Sequence, residues 1–243
     1  MIRNLLYISL APVAIIGLYI YLRDKYEKEP LVCLIKALII GILIVPPIVF
    51  IEKNLLQFSE GLPATVSPFY TGFFVAAFTE EGFKLLAFML FIWKSRDFNE
   101  RFDGIVYAVY IALGFAAIEN IFYVYRGGYE VGLLRALTAV PAHALFAVTM
   151  GYHLANAKFY PEKRVTQLML AFIVPFLWHG IYDSLLMVKK EILLLVFIPV
   201  FICLWVSAFR KMKELSATSI FRNDLPLPDS TTEEDFQDML TKE

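Results

Sequence analysis

Long apolar segments separated by short polar connections constrain the fold of this chain more than any other feature of its sequence. They are Leu5–Leu22, Leu31–Ile51, Phe69–Trp93, Gly104–Tyr125, Leu133–Asn156, Gln167–Val188 and Ile192–Phe209. A helix needs about 20 consecutive apolar residues to cross the hydrocarbon core of a bilayer, and its backbone must be hydrogen-bonded internally there. We therefore predict an all-α fold, a polytopic transmembrane helix bundle of about seven spans, with six to eight as the range.

The composition excludes a soluble globular protein. Hydrophobic residues make up 59% of the 243 residues and charged residues only 19%, against about 45–50% and about 25% in soluble domains. We predict one membrane domain over residues 1–213. The polar, acidic residues 214–243 are expected to form a disordered cytoplasmic tail.

The positions of the basic residues predict the orientation of the chain. Lysine and arginine are more frequent in the connections after the first, third and fifth spans and after the last span than in the other connections. Because basic residues accumulate on the cytoplasmic side of membrane proteins, this pattern predicts an N-terminus outside and a C-terminus in the cytoplasm.

Three charged residues lie inside the third apolar segment. Glu80 and Glu81 are adjacent, and Lys84 follows them by four and three residues, so its ammonium can reach either carboxylate of a helix. A charged residue at the centre of a spanning helix costs about 2.5–3.5 kcal/mol. Charges inside a membrane usually serve a function, so we expect this cluster to mark the functional site.

The next three spans carry polar residues at a similar depth. These residues are Glu119 and Asn120 in the fourth span, His143 in the fifth, and His179 and Asp183 in the sixth. In the predicted orientation they lie with Glu81 between the bilayer centre and its outer third. One buried polar site is the simplest interpretation. A further histidine, His153, lies near the inner end of its helix and is interpreted as a packing residue.

Imidazole and carboxylate groups together favour a metal-assisted hydrolytic site. A catalytic zinc ion keeps three protein ligands and one open position, which His143, His179 and one acid can supply. A free glutamate beside the ion would then take a proton from bound water. The same residues also suit a metal-free site in which a glutamate activates water and a histidine stabilises the oxyanion.

Functions other than hydrolysis fit the sequence less well. A proton-coupled transporter could relay protons through Glu80, Glu81, His143 and His179, but the spans show no paired halves. A receptor or scaffold would leave the cost of the buried charges unexplained. The HExxH, GxSxG and GxGD motifs of other protease classes are absent from the sequence.

Four short motifs in order carry a family resemblance. They are EExxK at residues 80–84, Phe115-x3-Glu119, PAHALF around His143, and His179-x3-Asp183. Together they resemble the PrsW family of intramembrane proteases. That family is distantly similar to the membrane endopeptidases that trim prenylated CAAX proteins and to bacteriocin-processing membrane proteases.

The resemblance implies roles for the individual residues. Glu80 or Glu81 would act as the general base, and Lys84 would orient the glutamates. The metal would be bound by His143, His179 and Glu119, with zinc as the first candidate. Asp183 would be a further ligand or would support one of the histidines.

The resemblance also implies a substrate and a location. Members of the family cut a single-pass anti-sigma factor near the outer membrane face, so that a second intramembrane protease can act on the product. The expected location is a bacterial cell membrane. The expected partners are a single-pass membrane protein and the lipid bilayer, with no nucleic acid.

Overall fold

The structure, a computed structural model, describes residues 2–188 and 191–222. The described residues form helices and connections, without a β-strand. The helices are α1 (Ile2–Arg23), α2 (Leu31–Leu43), α3 (Val45–Ser59), α4 (Ser67–Tyr70), a π-helical segment (Thr71–Ala77), α5 (Phe78–Phe91), α6 (Arg101–Leu137), α7 (Ala139–Phe159), a 3₁₀ turn (Pro161–Lys163), α8 (Arg164–Met187) and α9 (Glu191–Ala217).

Five helical stretches in the described residues are long and apolar enough to cross a membrane. They are Asn4–Arg23, Leu31–Ser59, Arg101–Phe159, Pro161–Met187 and Leu195–Ala217. The prediction of an all-α membrane bundle is thereby confirmed. The third predicted span is also helical, from α4 through α5, but carries the three charges of its polar cluster.

The α6 helix bends back on itself at Gly128. The φ angle of Gly128 is 78°, a conformation that glycine adopts readily because it lacks a Cβ atom. After this bend, Arg135 Nε lies 3.0 Å from Asn120 Oδ1, whereas 15 residues of straight helix would separate them by about 22 Å. The predicted connection between the fourth and fifth spans is therefore a bent helical segment, after which the chain folds back along α6.

The α6 and α7 helices form the buried centre of the bundle. Gly104 and Gly151 let their backbones approach closely, since a Cβ atom on Gly151 would lie 2.2 Å from the carbonyl oxygen of Gly104. The α2 helix packs on α6 in the same way through Gly41 and Gly114. Small residues at such contacts allow the close packing that holds membrane helices together.

The π-helical segment packs against α8 and so positions the start of α5. A Cβ atom on Gly72 would lie 2.6 Å from Ser184 Oγ, and one on Gly180 would lie 2.2 Å from Phe73. A π-helical turn holds more residues per turn than an α-helix and is frequent near functional sites. Here it directly precedes the helix that carries Glu80 and Glu81.

The α9 helix is longer than the last predicted span. It continues past Phe209 to Ala217, so residues 214–217 of the predicted tail are helical. Residues 223–243 lie outside the described residues.

Candidate active site

The first two turns of α5 hold the two glutamates and the lysine as a buried ionic cluster. Lys84 Nζ donates hydrogen bonds to Glu80 Oε2 at 3.1 Å and to Glu81 Oε1 at 2.8 Å. All three side chains are buried, with Glu81 completely inaccessible to solvent. The predicted contact of one ammonium with both carboxylates is therefore present, and it offsets much of the cost of burying two negative charges.

The α8 helix places His179 against this cluster. Its Nδ1 lies 2.9 Å from Glu81 Oε1, and its Nε2 lies 3.4 Å from Asp183 Oδ2. The ring stacks on Phe146 of α7, with 4.9 Å between the ring centroids. Both ring nitrogens thus face carboxylates, and release of one proton would free a nitrogen to bind a metal ion.

His143 of α7 completes the centre of the site. Its Nδ1 lies 3.4 Å from Lys84 Nζ, and its Nε2 lies 2.8 Å from Glu119 Oε2. An ammonium can only donate, so the contact with Lys84 favours the tautomer that carries its proton on Nε2 and donates it to Glu119. The Nδ1 lone pair then faces the glutamates of α5, with Glu80 Oε2 at 3.8 Å.

Four side chains converge closely enough to hold a metal ion. Ligand atoms of Glu80, Glu81, His143 and His179 all lie within 4.8 Å of one another. Two imidazoles and two carboxylates are a donor set that suits zinc and similar divalent ions. The buried Glu81 Oε2 has no hydrogen-bond partner in the described part of the chain, so the residues present fit such an ion.

Glu119 lies beside this group and is held by two other residues. Its Oε2 is 2.8 Å from His143 Nε2 and 2.8 Å from Arg135 Nη2. Arg135 also donates from Nε to Asn120 Oδ1 and lies over the Tyr123 ring, 3.9 Å from its centroid. The predicted ligand Glu119 is thus placed to orient His143.

A cavity of about 710 Å³ opens onto the site between α3, the π-helical segment, α6, α7 and α8. Its polar wall includes Glu80, Glu119, His143, His179 and Asp183. Glu81 and Lys84 lie behind that wall, because neither lines the cavity. The structure therefore distinguishes the two glutamates: Glu80 meets the cavity, and Glu81 is held by Lys84 and His179.

Three charged residues of the cavity wall were not among the sequence-based candidates: Glu52, Arg126 and Arg135. Arg135 was interpreted as a charge of an outer connection, and Glu52 lies one residue beyond the predicted end of the second span. In the structure Arg135 returns to Glu119 after the bend at Gly128, and α3 carries Glu52 into the wall. The pair Gly127–Gly128 was the available signal for the bend.

His153 lies apart from the site. Its Nδ1 is 2.7 Å from Gln167 Oε1, and it lines a separate cavity between α7, α8 and α9. This placement agrees with its interpretation as a packing residue.

Comparison with known proteins identifies the family. The family model described as "PrsW family intramembrane metalloprotease" matches residues 29–208. Protease PrsW of Geobacillus kaustophilus is 39% identical over 87% of this chain and 92% of its own length. The corresponding values are 38%, 89% and 98% for Protease PrsW of Oceanobacillus iheyensis, and 34%, 88% and 96% for that of Bacillus subtilis. No solved structure matches the chain.

The four convergent motifs and these matches show that the chain is a multi-pass membrane protease and belongs to the PrsW family of intramembrane metalloproteases.

Proposed function

We propose that this protease cuts a single-pass, anti-sigma-factor-like membrane protein near the outer face of a bacterial cell membrane. The cut would be the first step of a regulated proteolysis that a second intramembrane protease continues. The observation that carries the proposal is the convergence of Glu80, Glu81, His143 and His179, the first and the last two of which line one cavity. Family membership favours hydrolysis over the proton-coupled transporter considered above.

The metal ion would be held by His143, His179 and Glu81, with zinc as the first candidate. When bound, a divalent ion polarises the attacking water and the scissile carbonyl. Glu81 replaces Glu119 as the third ligand in this proposal, because its Oε2 is free and buried while Glu119 is held by Arg135. Asp183 and Glu119 would each hold the far nitrogen of one histidine.

Glu80 is the general base in this mechanism. Its carboxylate lines the cavity and accepts a hydrogen bond from Lys84, which balances its negative charge. It would take a proton from water as the water oxygen attacks the scissile carbonyl carbon, and would then pass that proton to the departing amine. Substrate must reach it in extended form, since a helix keeps its carbonyls in hydrogen bonds.

In the predicted orientation, the polar residues of the cavity wall would lie in the outer half of the bilayer. A site there would act on the segment that leaves the membrane on the outer side. A cut on the outer side would leave the membrane segment of the substrate joined to its cytoplasmic part. A second protease would then be needed to release the cytoplasmic part, which is why we place this enzyme first in a two-step proteolysis.

The test is cleavage of single-pass reporters in liposomes by the purified protein. We expect Glu80→Gln to lower the rate of cleavage by at least about 1,000-fold, because a glutamine cannot accept the proton. The matched control, His153→Ala, should cleave like the parent. A Glu80→Gln protein with parental activity would disprove the assignment of the base.

The metal is tested separately by elemental analysis and chelation. The parent should contain about one divalent ion per chain, and His143→Ala with His179→Ala should lose it. Cleavage that survives complete removal of the ion would instead support glutamate-activated water without metal.

A further inference from the structure

The α3 helix contributes an apolar wall to the cavity with one charged position. Five of its residues line the cavity with the i, i+3, i+4, i+7, i+11 spacing of a single helix stripe: Val45, Ile48, Val49, Glu52 and Leu56. Four of the five are aliphatic. Glu52 is therefore the single charged side chain that this stripe presents to the substrate cavity.

The other acids of the cavity wall already have partners. Glu80 accepts from Lys84, Glu119 is paired with Arg135, and Asp183 lies beside His179. Glu52 forms no hydrogen bond or ion pair with any residue in the ranges that the structure describes. Arg126, a cation that lines the same cavity, also stays out of ion-pair contact with it.

A half-buried carboxylate in an apolar wall is unfavourable unless it meets a positive charge or several donors. The bundle supplies such partners to the acids at the catalytic centre and leaves Glu52 to be satisfied from the cavity. The occupant of the cavity is the substrate, if the proposed function is correct. A lysine or arginine fits best, because its long apolar stem can lie along Val49 and Leu56 while its charged end reaches the carboxylate.

We propose that Glu52 is a specificity-determining residue that binds a basic side chain of the substrate close to the scissile bond. The proposal rests on the proposed function and adds to it the class of substrate: a membrane-tethered protein with a lysine or arginine in the segment that adjoins the membrane. An acidic residue at the same place is repelled by Glu52. The residue takes no part in the chemical step.

The experiment uses reporters that share one apolar anchor and differ at single positions of the adjoining segment. Each position carries Lys, Ala or Glu in turn, and kcat/KM is measured with the full-length protein in liposomes. At the substrate position that meets Glu52, the parent should cleave the Lys reporter with a kcat/KM about tenfold higher than that of the Ala reporter, as expected for a close charge pair. The kcat/KM of the Glu reporter should be lower than that of the Ala reporter. Glu52→Gln should remove this preference, so that the Lys and Ala reporters are cleaved with similar kcat/KM.

Charge reversal gives the sharper result. Glu52→Lys should prefer the Glu reporter to the Lys reporter, which a purely structural role of Glu52 cannot produce. The matched control is Glu60→Lys, since Glu60 is an exposed acid at the end of the same helix and does not line the cavity. Glu60→Lys should show the same preference among the Lys, Ala and Glu reporters as the parent protein.

The outcomes separate this inference from the proposed function. If the parent cleaves the reporters with equal kcat/KM at every position, or if Glu52→Lys keeps the preference of the parent, the inference is wrong and the proposed function stands. If the parent cleaves no reporter and still binds the metal, both fall.

Discussion

Two groups of buried carboxyls differ in what satisfies them. In the active site, Glu80, Glu81 and Glu119 each contact a lysine, an arginine or a histidine. The second group, which we call the interface cluster, consists of Asp24, Glu29, Glu100 and Asp103, and all four are nearly inaccessible to solvent. No lysine or arginine in the described residues forms an ion pair with these four carboxyls.

The hydrogen bonds to the interface cluster come from uncharged donors. Tyr107 donates its hydroxyl proton to Glu29, and Ser219 donates to Glu100. The Glu29 amide donates to Asp24 Oδ2 at 3.3 Å. These contacts tie the connection between α1 and α2 and the end of α9 to the start of α6.

The difference decides which group carries charge. Burial without a cation raises the pKa of both Asp24 and Glu29 to about 7, and burial also raises the pKa of Glu100. Near pH 7 Asp24 and Glu29 therefore remain partly protonated, whereas exposed acids have released their protons. Lysine, arginine and histidine instead let the candidate active site bury the carboxylates that the proposed mechanism uses as base and ligand. The presence of cations therefore distinguishes the candidate active site from the interface cluster, which holds helices together.

Removing the cation of the active site should have the largest effect. Lys84→Met would leave Glu80 and Glu81 buried without their counter-charge, and we expect it to destabilise the protein by about 3–5 kcal/mol. Thermal unfolding in detergent would measure the loss. Adding Glu81→Gln should restore part of the stability without restoring cleavage. If Lys84→Met unfolds at the parental temperature, the cation does not hold this cluster together.

Arg135 offers a milder test of the same idea. Arg135→Gln would leave Glu119 with one partner fewer and His143 less firmly oriented, so we expect kcat to fall about 10–100-fold, as for other residues that orient ligands. The metal content should fall with it, and KM should change little. Arg96→Gln, at an exposed arginine outside the bundle, is the control. A change in KM alone would show that Arg135 contacts substrate rather than orienting His143.

The interface cluster should respond to pH with a smaller effect. The pKa of Asp24 is higher in the folded protein than its usual value of 3.8, so the folded state binds more protons than the unfolded state between about pH 4 and 7. Stability should therefore fall as pH rises through this window and stay level above it. Asp24→Asn should flatten this slope and raise the melting temperature at pH 8 by about 3 °C. An unchanged slope in the variant would show that Asp24 is not the group that titrates.

The sequence predicted which buried polar residues lie together because its signals are local. Charges inside an apolar span are costly wherever they fall, and helical spacing alone brings Lys84 to Glu80 and Glu81. The order of spans and the similar depth of His143 and His179 sufficed to place them at one site.

The residues that sequence reasoning missed depend on long-range packing. Arg135 reaches Glu119 only because the chain reverses at Gly128, and a positive φ angle is not visible in an apolar pattern. Glu52 was placed outside its span because the apolar run stops there, although the cavity-facing stripe of α3 continues to Leu56. Asp24 and Glu29 resembled ordinary loop charges, and only the packing of α6 and α9 against that loop buries them.

The π-helical segment gives the chain one place where its length is adjustable. Such a segment accommodates an additional residue in a helix while the flanking turns keep their mutual orientation. Loss of one residue within Thr71–Ala77 can therefore be absorbed as a regular α-helical turn, with Glu80 and Glu81 still directed at His179. Loss of one residue between Phe78 and Glu80 would rotate the glutamates by about 100° around the helix axis, away from both histidines. Deletions should thus be tolerated just before α5 and abolish function just inside it.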